Sequence, residues 1–206
     1  MKNKIIKYLD EIIPNPKCEL EYSKDYELLI ATMLSAQTTD KRVNQITKIL
    51  NSKYPNLKSL SEADISDLIE IVRPLGNYHS KANNIKKIAN ILLENGGVKD
   101  DRTYLESLPG VGRKTANVVL SNLYNEPYLA VDTHVMRVAK RLGFAEESDS
   151  VRVIENKLTN YFKDENLLKM HHQLLLFGRY YCKAKNPLCD SCKLKKICKK
   201  NTSLFD

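Results

Sequence analysis

Lys114 stands directly behind the string Pro109-Gly110-Val111-Gly112-Arg113, at the head of an otherwise apolar helical pattern. The dipole of a helix repels a cation at its N-terminal end, which favours the neutral amine, and partial burial would favour it further. A neutral lysine is a nucleophile and forms a Schiff base with an aldehyde-like carbon, such as C1′ of a damaged or abasic sugar. A charged lysine at the same place pairs with a phosphate, and the residues alone leave both readings open. The glycines narrow the setting. They allow positive φ and leave no Cβ in the way, so unpaired amides at a helix N-terminus can meet an anion. Gly110, Val111, Gly112 and Arg113 are therefore candidate phosphate contacts, with a tight turn between packed helices as the plainer alternative.

Four of the five cysteines crowd together as C-x6-C-x2-C-x5-C: Cys182, Cys189, Cys192 and Cys198. In a reducing compartment this spacing indicates metal rather than disulfides, and four thiolates suit either zinc or a [4Fe–4S] cluster. The same stretch is strongly basic, with eight Lys/Arg and one acid, Asp190, over residues 179–200. Lys183 and Lys185 fall between the first two cysteines, where phosphate contact is the favoured reading over a solvated face. Cys18 lies outside the pattern and reads as a packed or incidental thiol. Asp132 precedes another helical pattern. An Asp in that place is most often an N-cap, and the same carboxylate can also face a developing positive charge. His134 beside it reads as structural.

The elements that must position these groups are helical. Ile65, Leu68, Ile69 and Val72 fall at i, i+3, i+4, i+7. So do Ile85, Ile88, Ala89 and Leu92; Ala116, Val119, Leu120 and Leu123; and Val135, Val138, Ala139 and Leu142. Ser61 with Asp64, and Thr103 with Glu106, have capping-box spacing, and Asp40 and Asp132 stand where N-caps belong. Gly96, Gly97 and Gly143 stand where helices should stop. No alternating run is long enough for a strand. The pattern predicts an all-α fold of nine or ten short helices, with a helix–hairpin–helix over about 103–124. No Pro/Ser/Gly linker divides the 206 residues, so any domain boundary is a packing boundary. A net charge of +8 and a pI near 9.1 favour a polyanion, nucleic acid first and an acidic membrane surface second. The N-terminus does not read as a signal peptide and no apolar run approaches a membrane span, so the expected location is the cytoplasm and its nucleoid.

LPGVGRKTANVVL followed by AVDTHVMRVAKRLG resembles the endonuclease III family, and the likeness extends from LLIATMLSAQTTDKRVN through HHQLLLFGRYYC to the last cysteines. The resemblance implies a base-excision DNA glycosylase with AP lyase activity, acting as a monomer on double-stranded DNA that carries oxidised pyrimidines or AP sites. It implies that Lys114 attacks C1′, that Asp132 is the second catalytic residue, and that the four cysteines carry a [4Fe–4S] cluster. It also implies a six-helix barrel domain over 23–126, and an iron–sulfur domain from 1–22 and 127–206 with its cluster loop at 182–198. Gln37 in LSAQ matches the residue that fills the gap left by an extruded nucleotide. The family's apolar wedge falls on Asn77, which can hydrogen-bond a base but cannot insert in the same way. Leu75 and Tyr78 are the neighbours that could take over. Two other readings fit these residues: a non-catalytic DNA-binding module, and a glycosylase of the same fold for another lesion, such as pyrimidine dimers. Lys114 argues against the related adenine glycosylases, which lack this lysine.

Overall fold

A computed structural model describes residues 1–199; the last lysine of the basic run, Lys200, lies outside the described residues. Eleven α-helices are present among them: α1 Lys2–Ile12, α2 Asp25–Leu34, α3 Asp40–Lys53, α4 Leu57–Ser61, α5 Ile65–Val72, α6 Tyr78–Asn95, α7 Arg102–Ser107, α8 Arg113–Tyr124, α9 Thr133–Arg141, α10 Val151–Tyr161 and α11 Leu167–Leu176. A π-helical turn, Phe177–Tyr181, continues α11, and a 3₁₀ turn spans Lys195–Ile197. No strand occurs among the described residues, so the all-α expectation holds. No described helix is long and apolar enough to cross a membrane.

The chain forms two compact units. One is Cys18–Tyr124; the other joins Met1–Lys17 to the chain from Asn125 onward. In the first unit α2 is apolar almost all round, and nine of its ten residues are buried. It packs against α3, α6 and α8, while α6 also covers α4 and α5. The stripes seen in the sequence supply this core: Leu68 and Val72; Ile85, Ile88, Ala89 and Leu92; and Ala116, Val119 and Leu120 are buried. In the second unit α9 packs on α10, α11 and the π-helical turn, and α1 packs on α11. Its core combines Ile5, Leu9, Val135, Val138, Ile154, Leu158, Phe162, Leu174 and Phe177.

The helix ends follow capping chemistry, although not at every residue the spacing indicated. Asp132 caps α9, as expected. Ser61 closes α4 instead of opening a box; Asn56 caps α4, and Asp64 caps α5 by accepting from the Ser66 amide. Asp101, not Thr103, caps α7, and Thr39, not Asp40, caps α3. These shifts share a cause. Several Ser, Thr, Asn and Asp sit within a turn of each helix start, and the cap is whichever one reaches an unpaired amide. Gly96 ends α6 in the left-handed region (φ 78°), and the Gly97 amide reaches back to the Leu92 carbonyl at 2.7 Å. Gly143 (φ 79°) ends α9, with the Phe144 amide on the Ala139 carbonyl at 2.8 Å.

Candidate active site and cysteine cavity

The hairpin joins α7 to α8 through residues 108–112. Leu105, Leu108 and Val111 are buried and anchor it, and the Val111 amide bonds the Leu108 carbonyl at 3.1 Å. Val111 thus anchors the turn: its side chain is buried and its amide is already paired within it. The two glycines differ. Gly110 has φ +75°, and a Cβ there would lie 2.4 Å from Asn84 Nδ2 and 3.4 Å from Met33 Cγ, so this glycine fits the hairpin against α6 and α2. Gly112 has no positive φ, and a Cβ would meet nothing within 4 Å. No packing inside the unit demands glycine at 112, and its outer side is open for a phosphate to approach the amides. The Ala116 amide bonds the Gly112 carbonyl at 3.0 Å, which starts α8.

Arg113 and Lys114 are the first two residues of α8, whose first turn holds no acid. Lys114 is exposed. The partial burial that would favour its neutral form further is absent in the unbound chain.

Gln37 lies in the link between α2 and α3. It is exposed and takes φ 59°, a left-handed conformation that costs a residue with a Cβ about 1–2 kcal/mol. Asn77 immediately precedes α6, is exposed, and takes φ 56° without a side-chain cap bond. Asn tolerates this region better than most residues, so the backbone gives Asn77 a reason of its own. Strained conformations of this kind gather at ligand-contacting sites. Leu75 is excluded as a substitute wedge: it is 1% exposed and belongs to the core. Tyr78 packs against His79, ring centroids 4.3 Å apart.

One residue without a signature in the sequence motifs links these segments. Lys81 on α6 is 5% exposed, and its ammonium donates to the Ala36 carbonyl at 3.0 Å and to the Thr38 hydroxyl at 3.4 Å, on either side of Gln37. Its own amide bonds the Asn77 carbonyl at 3.0 Å. Burial lowers the Lys81 pKa. A weaker signal was present in the sequence, because Lys81 stands four residues before Ile85 and extends the α6 apolar stripe. Gln37, Asn77, Lys81 and the Gly110 turn therefore gather around the first turns of α6, within one unit.

Asp132 belongs to the other unit. Its Oδ1 accepts from the His134 and Val135 amides at 2.9 and 2.8 Å, so the predicted cap is real. Gly178 packs on this turn; a Cβ there would lie 2.9 Å from the His134 carbonyl oxygen. Arg137 braces the turn, donating to the Gly178 carbonyl at 2.7 Å and to the Cys182 carbonyl at 3.0 Å, with His134 Nδ1 at 3.2 Å. His134 is thus part of the scaffold that fixes Asp132.

All four clustered cysteines line one cavity, together with Tyr8, Leu142, Phe177, Tyr181 and Leu194. None forms a disulfide. No described group of three or more His, Cys, Asp or Glu residues converges on a single point suited to one ion. Burial pushes the Cys192 thiol up, and Cys182 and Cys198 add to the effect. Arg141 donates to Cys182 Sγ at 3.3 Å and to the Lys183 carbonyl at 2.8 Å. Of the surrounding lysines, Lys193, Lys195 and Lys199 pair with Glu11, Asp190 and Glu146. Among the described residues Lys183 and Lys185 have no such ion pair.

Comparison with known proteins matches this arrangement along the chain. Residues 30–164 match the HhH-GPD superfamily of base excision DNA repair proteins. The chain is 42% identical to endonuclease III of Bacillus subtilis (strain 168) over 193 residues, which is 93% of this chain and 88% of that protein. It is 44% identical to endonuclease III of Escherichia coli (strain K12) over 196 residues, covering 94% and 92%. Its fold superposes on a structure of a trapped endonuclease III–DNA covalent intermediate, an estranged-adenine complex, with a TM-score of 0.92 and 43% identity, covering 100% of this chain and 99% of that one. The chain belongs to the HhH-GPD superfamily and, within it, to the endonuclease III family.

Proposed function

We propose that this chain is a bifunctional base-excision repair enzyme, a DNA N-glycosylase and AP lyase, which removes oxidised pyrimidines from double-stranded DNA and cuts the strand. The observation that carries the reading is Lys114: exposed in the first turn of α8, directly behind a hairpin whose Gly112 side is open. The helix dipole disfavours a cation there, whereas it favours an amine that must become neutral to attack a sugar. Likeness to endonuclease III, including a structure trapped covalently on DNA, supports the same chemistry.

The mechanism follows from the residues. The target nucleotide leaves the stack, because its glycosidic carbon is shielded in a duplex. The hairpin amides and Arg113 hold a phosphate, and Lys183 and Lys185 add contacts to the backbone. Gln37 fills the vacated place, with an amide that can both donate to and accept from the orphaned base. Asn77 stands at the wedge position with a polar side chain. The neutral amine of Lys114 attacks C1′; the C1′–N bond breaks, and its electron pair leaves with the base, which takes up a proton. Asp132 stabilises the positive charge that builds on the sugar and helps move protons. The lysine nitrogen stays on C1′ and gives up a proton; the C1′–O4′ bond then breaks, the ring oxygen takes up a proton, and the C1′=N Schiff base forms. Loss of the C2′ proton then expels the 3′ phosphate by breaking the C3′–O bond, and water releases Lys114.

Cys182, Cys189, Cys192 and Cys198 would hold a [4Fe–4S] cluster, a reading supported by their short spacing along the chain and by the one cavity that all four line. Bound there, the cluster would cross-link residues 182–198 and keep Lys183 and Lys185 at a fixed place. On this reading the unit Cys18–Tyr124 is the helical barrel domain, and the other unit is the iron–sulfur domain. The enzyme acts as a monomer on nucleoid DNA.

Borohydride tests the proposal directly, because it reduces a Schiff base to a stable amine. The expected result is a covalent protein–DNA adduct from a duplex carrying one oxidised thymine, and no adduct from Lys114→Ala. Intact DNA with no adduct would overturn the reading in favour of a non-catalytic DNA-binding module. An adduct from an abasic duplex alone would keep the lyase and remove the oxidised-pyrimidine assignment, making pyrimidine dimers the next substrate to test.

A further inference from the structure

Lys81 is a buried ammonium whose two side-chain acceptors, a carbonyl and a hydroxyl, carry no charge. Burying a cation without a carboxylate is unfavourable, and an apolar side chain of similar volume would serve the core better. The residue stands on the apolar stripe of α6, among Ala82, Ile85 and Ile88, where such a replacement would fit. Its hydrogen bonds suggest what it is kept for. They fall on Ala36 and Thr38, the two neighbours of the left-handed Gln37, while its backbone amide holds the carbonyl of the left-handed Asn77. Both exposed, strained residues are thus fastened to a single turn of helix through one side chain and its own amide.

We propose that Lys81 is a positioning residue: it ties the Gln37 segment to the first turn of α6, so that Gln37 enters the duplex from a preset backbone and in register with Asn77. This rests on the reading that Gln37 fills the gap left by the extruded nucleotide. A link of five residues between two helices would otherwise have to be ordered at the moment of insertion. Fixing it beforehand removes that entropy loss from the extrusion step. Lys81 touches neither the sugar nor the base, and acts only through Gln37.

The test is a double-mutant cycle with Gln37→Ala and Lys81→Met, in which methionine keeps the chain length and removes the donors. Single-turnover release of an oxidised thymine from a fully paired duplex is measured for each variant. The fluorescence of 2-aminopurine opposite the lesion reports filling of the gap. Each single substitution is expected to slow base release by about 10-fold, and the double variant to be no slower than the slower single one, because the two act as one unit. Lys81→Met should also abolish the 2-aminopurine signal, while its thermal midpoint stays level or rises as the buried charge disappears. A silent Gln37→Ala would remove the gap-filling reading on which the proposal stands. A slow Gln37→Ala combined with a silent Lys81→Met, or with strictly additive effects, would overturn the tether alone. Unfolding of Lys81→Met at the assay temperature would overturn it too, since Lys81 would then be a requirement of the fold and not a separable positioning device.

Discussion

The starts of α8 and α9 are two helix N-termini built on opposite rules. α9 follows the dipole at both ends: the Asp132 carboxylate caps its first amides, and Lys140 and Arg141 occupy its last turn. α8 inverts it, with Arg113 and Lys114 in the first turn, no acid there and no base in the last turn. A charge placed against the dipole lowers helix stability by about 0.3–1 kcal/mol and is retained for something other than stability. A charge placed with the dipole explains itself, so a second role for it is hidden beneath the cap. Lys114 therefore stands out on local physics, whereas Asp132 does not.

Substitutions can separate the two rules. The largest effect is expected at Lys114. Lys114→Ala should abolish the borohydride adduct while leaving the thermal midpoint within about 2 °C, since the side chain is exposed. A larger fall in the midpoint would mean that the lysine supports the fold. Asp132 should divide by substitution. Asn caps a helix about as well as Asp, so Asp132→Asn should keep the midpoint while base release slows by about 10²–10⁴-fold. Asp132→Ala should in addition lower stability by about 1 kcal/mol. Equal rates for Asp132→Asn and the wild type would leave Asp132 as a cap and nothing more.

The hairpin glycines should part in the same way. Gly110→Ala forces a Cβ against Asn84 at positive φ and should destabilise the protein by about 1–3 kcal/mol. Gly112→Ala should leave stability within about 0.5 kcal/mol, yet weaken binding to an abasic duplex. Asn77→Leu should speed release of stacked lesions more than cleavage of abasic sites, with stability lowered by about 1 kcal/mol through the left-handed backbone. Equal effects on both substrates would remove Asn77 from the extrusion step. The smallest effect belongs to the cysteine loop. Replacing Lys183 and Lys185 by Ala should flatten the plot of log affinity against log salt by about 2, one for each phosphate that a lysine no longer neutralises. An unchanged slope would assign both lysines to solvent.

Much of this molecule was legible from local rules. The helix–hairpin–helix expected over about 103–124 is observed as α7, Arg102–Ser107, and α8, Arg113–Tyr124, because Gly112 and the apolar period beyond it mark the start and run of the second helix. Asp132 as a cap needed only its place before an apolar period. The four cysteines were legible as one set from number and spacing, and the fold places all four around one cavity. Gln37 was not legible from chemistry, since a glutamine in a short link has no local signature, and only the family resemblance brought it forward. Leu75 looked available as a wedge because exposure cannot be read from residue type; the fold buries it.

By itself, the sequence determined what depends on neighbours along the chain: helix periods, stops at glycine, the inverted charge at α8 and the thiolate set. These are set by dipoles, dihedral limits and side-chain reach over one or two turns. Tertiary structure decided which of two similar glycines packs against α6 and which faces outward, which lysines of the basic loop are neutralised, and that a lysine 44 residues beyond Gln37 in sequence holds the segment around it. Those outcomes depend on which surfaces meet across long stretches of chain, and burial and hydrogen-bond partners exist only once they have met.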